Sequence, residues 1–201
     1  MAISQMVFRR RIILSRSIVW PLALTIFFTT SKQGEVFKGF LFLAGCMLVA
    51  VATIGRLWCS LYIGGYKKRQ LVTSGPYSLC RNPLYFFSSI GIIGVGFATG
   101  TVTIPFLLAI LFSLYYPFVI RFEETILAPL HGDAYKDYVA RVPRFWPRRI
   151  RPCEPEEYLI SPANFRRTMF DALWFMWLVG LIHLAEAIRN AGILPTIIKF
   201  Y

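Results

Sequence analysis

Two short stretches of this chain bring together side chains able to do chemistry. The first is Leu71–Tyr85, LVTSGPYSLCRNPLY, where turn formers, a basic residue and aromatics crowd between long apolar runs. Ser74-Gly75-Pro76-Tyr77 has the form of a turn. Arg81-Asn82-Pro83 has the form of a helix start, because proline at the first helical position gives up an N–H that would be unpaired anyway. A helix N-terminus presents free N–H donors, so an anionic ligand group could be held around Arg81–Leu84. The second stretch holds adjacent acids, Glu123 and Glu124, beside Arg121 at the end of an apolar run. Ionisable groups at the mouth of a membrane helix are costly unless paired or functional. Neighbouring helical residues point about 100° apart, so one acid faces inward while the other meets Arg121 or water. Together the stretches suit a ligand with both charges: a glutamate for an ammonium, Arg81 or the helix start for a carboxylate. Tyr77, Tyr85, Tyr135 and Tyr138 add aromatic faces for a cation or a flat base.

The elements that must position these groups are membrane helices. The chain has 201 residues, 56% of them hydrophobic and 16% aromatic, which is too apolar for a soluble domain of this size. We expect an all-α integral membrane protein with about five spans. These are Ile12–Thr30, with a kink at Pro21, then Val36–Trp58, Leu84–Gly100, Thr101–Ile120 and Thr168–Ile188. The third and fourth spans adjoin and form a helical hairpin, which returns Glu123 and Glu124 to the side of Arg81. Gly39, Gly45, Gly55, Gly91, Gly94 and Gly96 offer small faces for close helix packing. Arg56 is expected to snorkel to the headgroups, beside interfacial Trp58 and Tyr62. Tyr135, Tyr138, Val139 and Val142 recur at i, i+3, i+4 and i+7, the pattern of an amphipathic helix against the membrane that ends at Pro143. Residues 1–70 thus carry two spans and a linker, 71–147 the chemistry, and 148–201 a basic connector and the last span.

Charge sets the orientation. Lys and Arg number four in residues 1–16, four in 59–83 and nine in 121–167, against Lys32 and Lys38 on the opposite side. The positive-inside rule places the N-terminus and both chemical stretches in the cytoplasm. The net charge of +12 is explained by this flanking and by anionic headgroups rather than by nucleic acid. Arg9–Arg11 before an apolar run imitates a secretory signal, but the run has no small-residue cleavage pattern and is read as a retained helix. Cys46, Cys59, Cys80 and Cys153 form no C-x-x-C pair, so neither a disulfide framework nor a zinc site is expected, and Cys80 is read as a packing residue. His183 and Glu186 share a helix face but have no third ligand. Asp171 is expected to pair with Arg167 on its own helix.

The pattern L-V-T-S-G-P-Y-x-x-x-R-N-P-x-Y, followed about forty residues on by E-E-x-x-L-x-x-x-x-G-x-x-Y-x-x-Y-x-x-R-V-P-R-F-x-P, resembles the isoprenylcysteine carboxyl methyltransferase family. That family belongs with the integral membrane phospholipid methyltransferases. The resemblance covers Leu71–Pro147, about two-fifths of the chain, and implies an S-adenosylmethionine-dependent enzyme. Its cofactor site would face the cytoplasm, and a lipidated or lipid-like acceptor would enter from the bilayer. By resemblance Arg81 and Glu124 are catalytic. Val72, Tyr77, Asn82, Pro83, Tyr85, Glu123, Tyr135, Tyr138 and Arg144 would bind the cofactor, with the segment from Gly132 to Phe145 closing over it. No metal is implied. Asn82 stands where the isoprenylcysteine enzymes carry histidine, and N-P-x-Y is similar to the phospholipid N-methyltransferase branch.

The implied reaction is methyl transfer, foremost to an isoprenylcysteine-type carboxylate. Sulfonium and carboxylate neutralise each other, a change that a low-dielectric site favours without a general base. For a lipid amine acceptor, Glu124 becomes the candidate base. Two other classes are compatible with the residues: a nicotinamide-dependent sterol-type reductase using Arg141, Arg144, Arg148 and Arg149 for a phosphate, and a non-enzymatic lipid-binding protein.

Overall fold

A computed structural model describes residues 29–63, 70–148, 151–158, 160, 162–193 and 198–200. The elements are β1 (Thr29–Ser31), α1 (Glu35–Ile63), α2 (Pro76–Leu79), α3 (Pro83–Phe97), α4 (Thr103–Arg141), α5 (Pro162–Asn190) and β2 (Ile198–Phe200). The expected all-α membrane architecture holds, with one small addition: β1 and β2 pair in parallel, Thr30 opposite Lys199. Helices α1, α4 and α5 are long and apolar enough to cross a bilayer, whereas α3 is shorter. The expected first span, Ile12–Thr30, lies outside the described residues except for Thr29 and Thr30.

The helices pack through small residues. A methyl group added to Gly45 of α1 would lie 2.6 Å from the Gly94 carbonyl and the Ala98 nitrogen of α3. The two backbones therefore touch, as the glycine spacing predicts. Gly91 of α3 faces Ala52 of α1 and the Phe175 ring of α5, so three helices meet there. Val49, Val95 and Phe175 form the buried centre of this contact. Outward, Phe40, Met47 and Ile54 of α1, Phe106 and Phe118 of α4, and Trp174 and Trp177 of α5 are exposed. These are the lipid-facing surfaces that a bilayer would cover.

The hairpin between α3 and α4 takes only residues 98–102, and Gly96 lies against Pro105 across it. Ser31 donates its hydroxyl to the Gly100 carbonyl at 2.6 Å, covering this end with polar chain. Two boundaries differ from expectation. Helix α4 does not stop at Ile120 but runs to Gly132, where the backbone leaves helical geometry (φ 53°, ψ −126°) before resuming to Arg141. Polarity rises at Arg121, yet Glu, Leu and Ala there are good helix formers, so a change of solvent is not a change of backbone. For the same reason α5 begins at Pro162 rather than Thr168, with proline in its first turn.

Candidate active site

The first chemical stretch folds as loop, turn and helix entry. Gly75 has φ 58° and ψ −131°, and a methyl group added there would lie 2.3 Å from the Tyr62 ring, so glycine is required both for conformation and for space. One turn of helix, α2, follows. Cys80 is extended and α3 begins at Pro83. The second stretch reverses at Gly132, which like Gly75 adopts a conformation that side chains disfavour. That reversal returns Tyr135 and Tyr138 to the interior, where both are buried.

The two stretches then lock together. The Arg81 N–H donates to the Pro143 carbonyl at 2.8 Å, and the Asn82 side-chain amide donates to the Arg144 carbonyl at 2.9 Å. Glu124 accepts from both sides: Arg81 Nη1 lies 3.0 Å from Oε1, Arg144 Nη2 lies 2.8 Å from Oε2, and Arg144 Nε donates to Oε1 at 3.2 Å. The Arg81 and Glu124 side chains are only 10% and 14% exposed, whereas that of Arg144 is 50% exposed. Glu123 points elsewhere. It accepts from the Tyr85 hydroxyl at 2.6 Å, a phenol of α3 that the sequence expectation of Arg121 or water did not include. Tyr138 donates its hydroxyl to the Tyr77 carbonyl at 2.7 Å, and the Tyr135 ring lies 6.3 Å from that of Tyr138. Phe145, next to Arg144, seats its ring against Phe86 of α3 and Phe112 of α4.

Burial dominates the remaining groups. Tyr77 is enclosed with Cys59 and Tyr62, and burial pushes its phenol well above the ordinary tyrosine range. Cys80 is 1% exposed and desolvation raises its thiol to about 11. A thiolate nucleophile is therefore disfavoured there, in keeping with a packing role. Val72 is half-buried against the Cys59–Tyr77 cluster, apart from the ion pairs of Arg81 and Glu124. Pro83 is sealed in and shapes the helix entry. The structure therefore joins Arg81, Asn82, Glu124 and Arg144 in one cluster, with Tyr85–Glu123 and Tyr77–Tyr138 as flanking pairs and Tyr135 beside Tyr138. Val72 and Pro83 form its backing.

Three features carry the capacity to bind a ligand with both charges. The first turn of α3 has no side-chain cap bond, which leaves N–H donors for a carboxylate. Arg81 Nε and the Tyr77 hydroxyl are buried without a hydrogen-bond partner. Such atoms are rare in native structures and call for a water or a ligand.

Two participants were not anticipated. The connector after residue 148 is no bare linker: Gly75 N–H donates to the Cys153 carbonyl and Cys153 N–H to Ser78 Oγ, both at 2.8 Å. Tyr158 donates to the Tyr62 carbonyl at 2.5 Å. Each of these bonds has a backbone group on at least one side, which side-chain motifs do not announce. Arg56 does not snorkel outward but turns between helices, bonding Ser88 Oγ. The Arg167 side chain, the partner expected for Asp171, lies outside the described residues. Among the described residues, no three His, Cys, Asp or Glu side chains gather as a metal site.

The phospholipid methyltransferase family model matches residues 35–134. The chain is 41% identical over 154 residues to the nickel-cobalt-cadmium resistance protein NccN of Alcaligenes xylosoxydans xylosoxydans, a match spanning 77% of this chain and 72% of that one. It is 35% identical over 198 residues to the cobalt-zinc-cadmium resistance protein CzcN of Cupriavidus metallidurans, a match spanning 98% of this chain and 91% of that one. No solved structure matches.

Proposed function

Because the chain belongs to the phospholipid methyltransferase family, a family of membrane methyltransferases, we propose that it transfers a methyl group from S-adenosylmethionine to a lipid or lipidated acceptor reached from the bilayer. The observation that carries this reading is the grip of Glu124 on both Arg81 and Arg144, which joins the two sequence motifs into one enclosed cluster at the ends of α3 and the spanning part of α4. When bound, the donor supplies an electrophilic methyl group on a sulfonium. The protein's part is to bind, orient and exclude water. Asn82 and the first turn of α3 hold the donor's carboxylate, with Tyr85 and Glu123 beside them. Tyr77, Tyr135 and Tyr138 supply the aromatic wall for its cationic and flat parts, backed by Val72 and Pro83. Arg144, the more exposed arginine, closes the cytoplasmic side.

Arg81 orients the acceptor, and Glu124 fixes Arg81. Three N–H contacts occupy most of the lone pairs of Glu124, which leaves little capacity to accept a proton. This favours an acceptor that needs no base, a carboxylate of the isoprenylcysteine type. Bond formation from that carboxylate and departure of the sulfur then neutralise both charges in a low-dielectric site. Asn82 in the motif favours the second reading, N-methylation of a phospholipid or lipid amine with Glu124 as proton acceptor. The site faces the cytoplasm. The metal-resistance names of NccN and CzcN supply the setting: an envelope constituent methylated where metal ions are a stress.

The test is calorimetric titration of S-adenosylmethionine, and of NADPH in parallel, into the protein in nanodiscs. Saturable binding of the methyl donor is expected. Its absence, or much tighter NADPH binding, overturns the reading. Mass spectrometry of extracts incubated with isotopically labelled donor then distinguishes a methyl ester from a methylamine.

A further inference from the structure

Arg56 stands in the apolar body of α1, seven residues before that helix ends at Ile63. An unpaired guanidinium inside a span is costly, and cations kept there mark ligand and ion paths. The side chain turns between α1, α3 and α5. Nη1 donates to Ser88 Oγ, Nη2 reaches the Asp171 carbonyl at 3.4 Å, and Cζ lies 5.4 Å from the Phe175 ring centroid. Among the described residues Arg56 makes no ion pair. Two hydrogen bonds, one of them long, engage a group with five N–H donors, and Nε is enclosed with no partner.

Its surroundings point toward the site. Ser88, which accepts from Arg56, lies one turn along α3 from Tyr85. Tyr116 stands edge-on to Tyr85 at 5.1 Å, and Tyr85 holds Glu123. The Tyr77 hydroxyl is likewise buried without a partner. Arg56 thus reaches the face of α3 that carries Tyr85 and, through it, Glu123. Its Nη2 end lies between α1 and α5, helices whose Ile54, Phe170 and Trp174 are exposed to lipid elsewhere on their surfaces. A planar fork of donors at the edge of an apolar seam suits a phosphate or carboxylate whose acyl chain lies in the bilayer.

We propose that Arg56 anchors the anionic headgroup of a bilayer lipid, a phosphate or a carboxylate, at the α1–α5 seam and so presents the acceptor to the wall formed by Tyr116, Tyr85 and Glu123. The purpose of the bound lipid rests on the methyltransferase reading. Binding itself is tested without turnover. The protein is reconstituted in phosphatidylcholine nanodiscs doped with phosphatidic acid or oleate, or with their neutral counterparts diacylglycerol and oleyl alcohol, and retained lipids are counted by native mass spectrometry.

Wild type is expected to retain one anionic lipid and neither neutral one, and the anion preferred distinguishes phosphate from carboxylate. Arg56→Gln should lower retention about tenfold or more, the worth of a charge-assisted bond. Arg56→Lys, which keeps the charge but loses the fork, should lower it about threefold. Exposed Arg151→Gln should leave it unchanged. Retention by Arg56→Gln within twofold of wild type, or an equal fall in Arg151→Gln, overturns the assignment. If Arg56→Gln gives no folded protein, wild-type retention by Arg56→Lys does so. S-adenosylmethionine titration of the same samples separates the two readings: lipid held without donor binding sinks the methyltransferase, and donor binding with Arg56-independent lipid sinks the anchor.

Discussion

The Tyr138 hydroxyl donates to the Tyr77 carbonyl at 2.7 Å across 61 residues of chain, inside the protein. This bond ties the segment beyond Gly132 to the single turn of α2. Tyr138→Phe leaves a buried carbonyl without its donor and should lower stability by about 1–3 kcal/mol. Thermal unfolding in detergent checks it. A melting temperature equal to wild type would show that the two segments do not depend on each other.

The two arginines on Glu124 should prove unequal. Glu124→Gln strands the enclosed Arg81 and should cost about 3–5 kcal/mol. Arg144 is half exposed, so Arg144→Ala should cost no more than about 1 kcal/mol. Arg81→Ala should abolish turnover while donor affinity persists. Unchanged turnover in that variant would remove Arg81 from catalysis.

The two positive-φ glycines give a graded comparison. Gly132 has open space around it, so Gly132→Ala pays only for backbone conformation, about 1–2 kcal/mol. Gly75→Ala meets the same strain and also drives a methyl group into the Tyr62 ring. It should therefore be the more damaging by a clear margin in denaturation midpoint. The reverse order would contradict the geometry of the α2 turn.

Cys80 and Cys153 should differ in reactivity. Cys153 is exposed and should react with a maleimide in the native protein, whereas Cys80 should stay silent until unfolding. A thiol raised to about 11 favours the protonated folded state. Its stabilisation is complete below the unfolded value, near pH 8.5, and is lost as pH rises through the folded one. Stability should fall between those limits, and Cys80→Ala should flatten the fall. A profile that rises over that interval would refute the assignment.

Orientation is open to the same chemistry. An impermeant maleimide should label Cys153 in inverted membrane vesicles and not in intact cells. Labelling from the outside would place the site on the opposite face.

Much of the site was legible because its residues are unusual for their setting. Arg81, Glu123 and Glu124 stand out against apolar runs, and the Gly-Pro and Asn-Pro pairs announce the turn and the helix entry. The hairpin was legible from the short interval between two apolar stretches. What sequence could not reveal depends on three-dimensional partners. The helical continuation past Ile120 was hidden because solvent polarity and helix propensity change at different residues. The strap at Cys153 uses that residue's backbone N–H and carbonyl, to which the identity of its side chain is indifferent. Arg56 near a span end was read as snorkelling, and only the positions of Ser88 and Phe175 turn it inward.

The brevity of α3 bears on how the enzyme meets its membrane. Its fifteen residues measure about 22 Å at 1.5 Å per residue, against a hydrocarbon thickness of about 30 Å. A helix of that length matches a thinner bilayer better than a thick one, so methyl transfer measured in nanodiscs of shorter acyl chain should exceed that in longer ones, and equal rates would show that the length of α3 does not matter to its membrane.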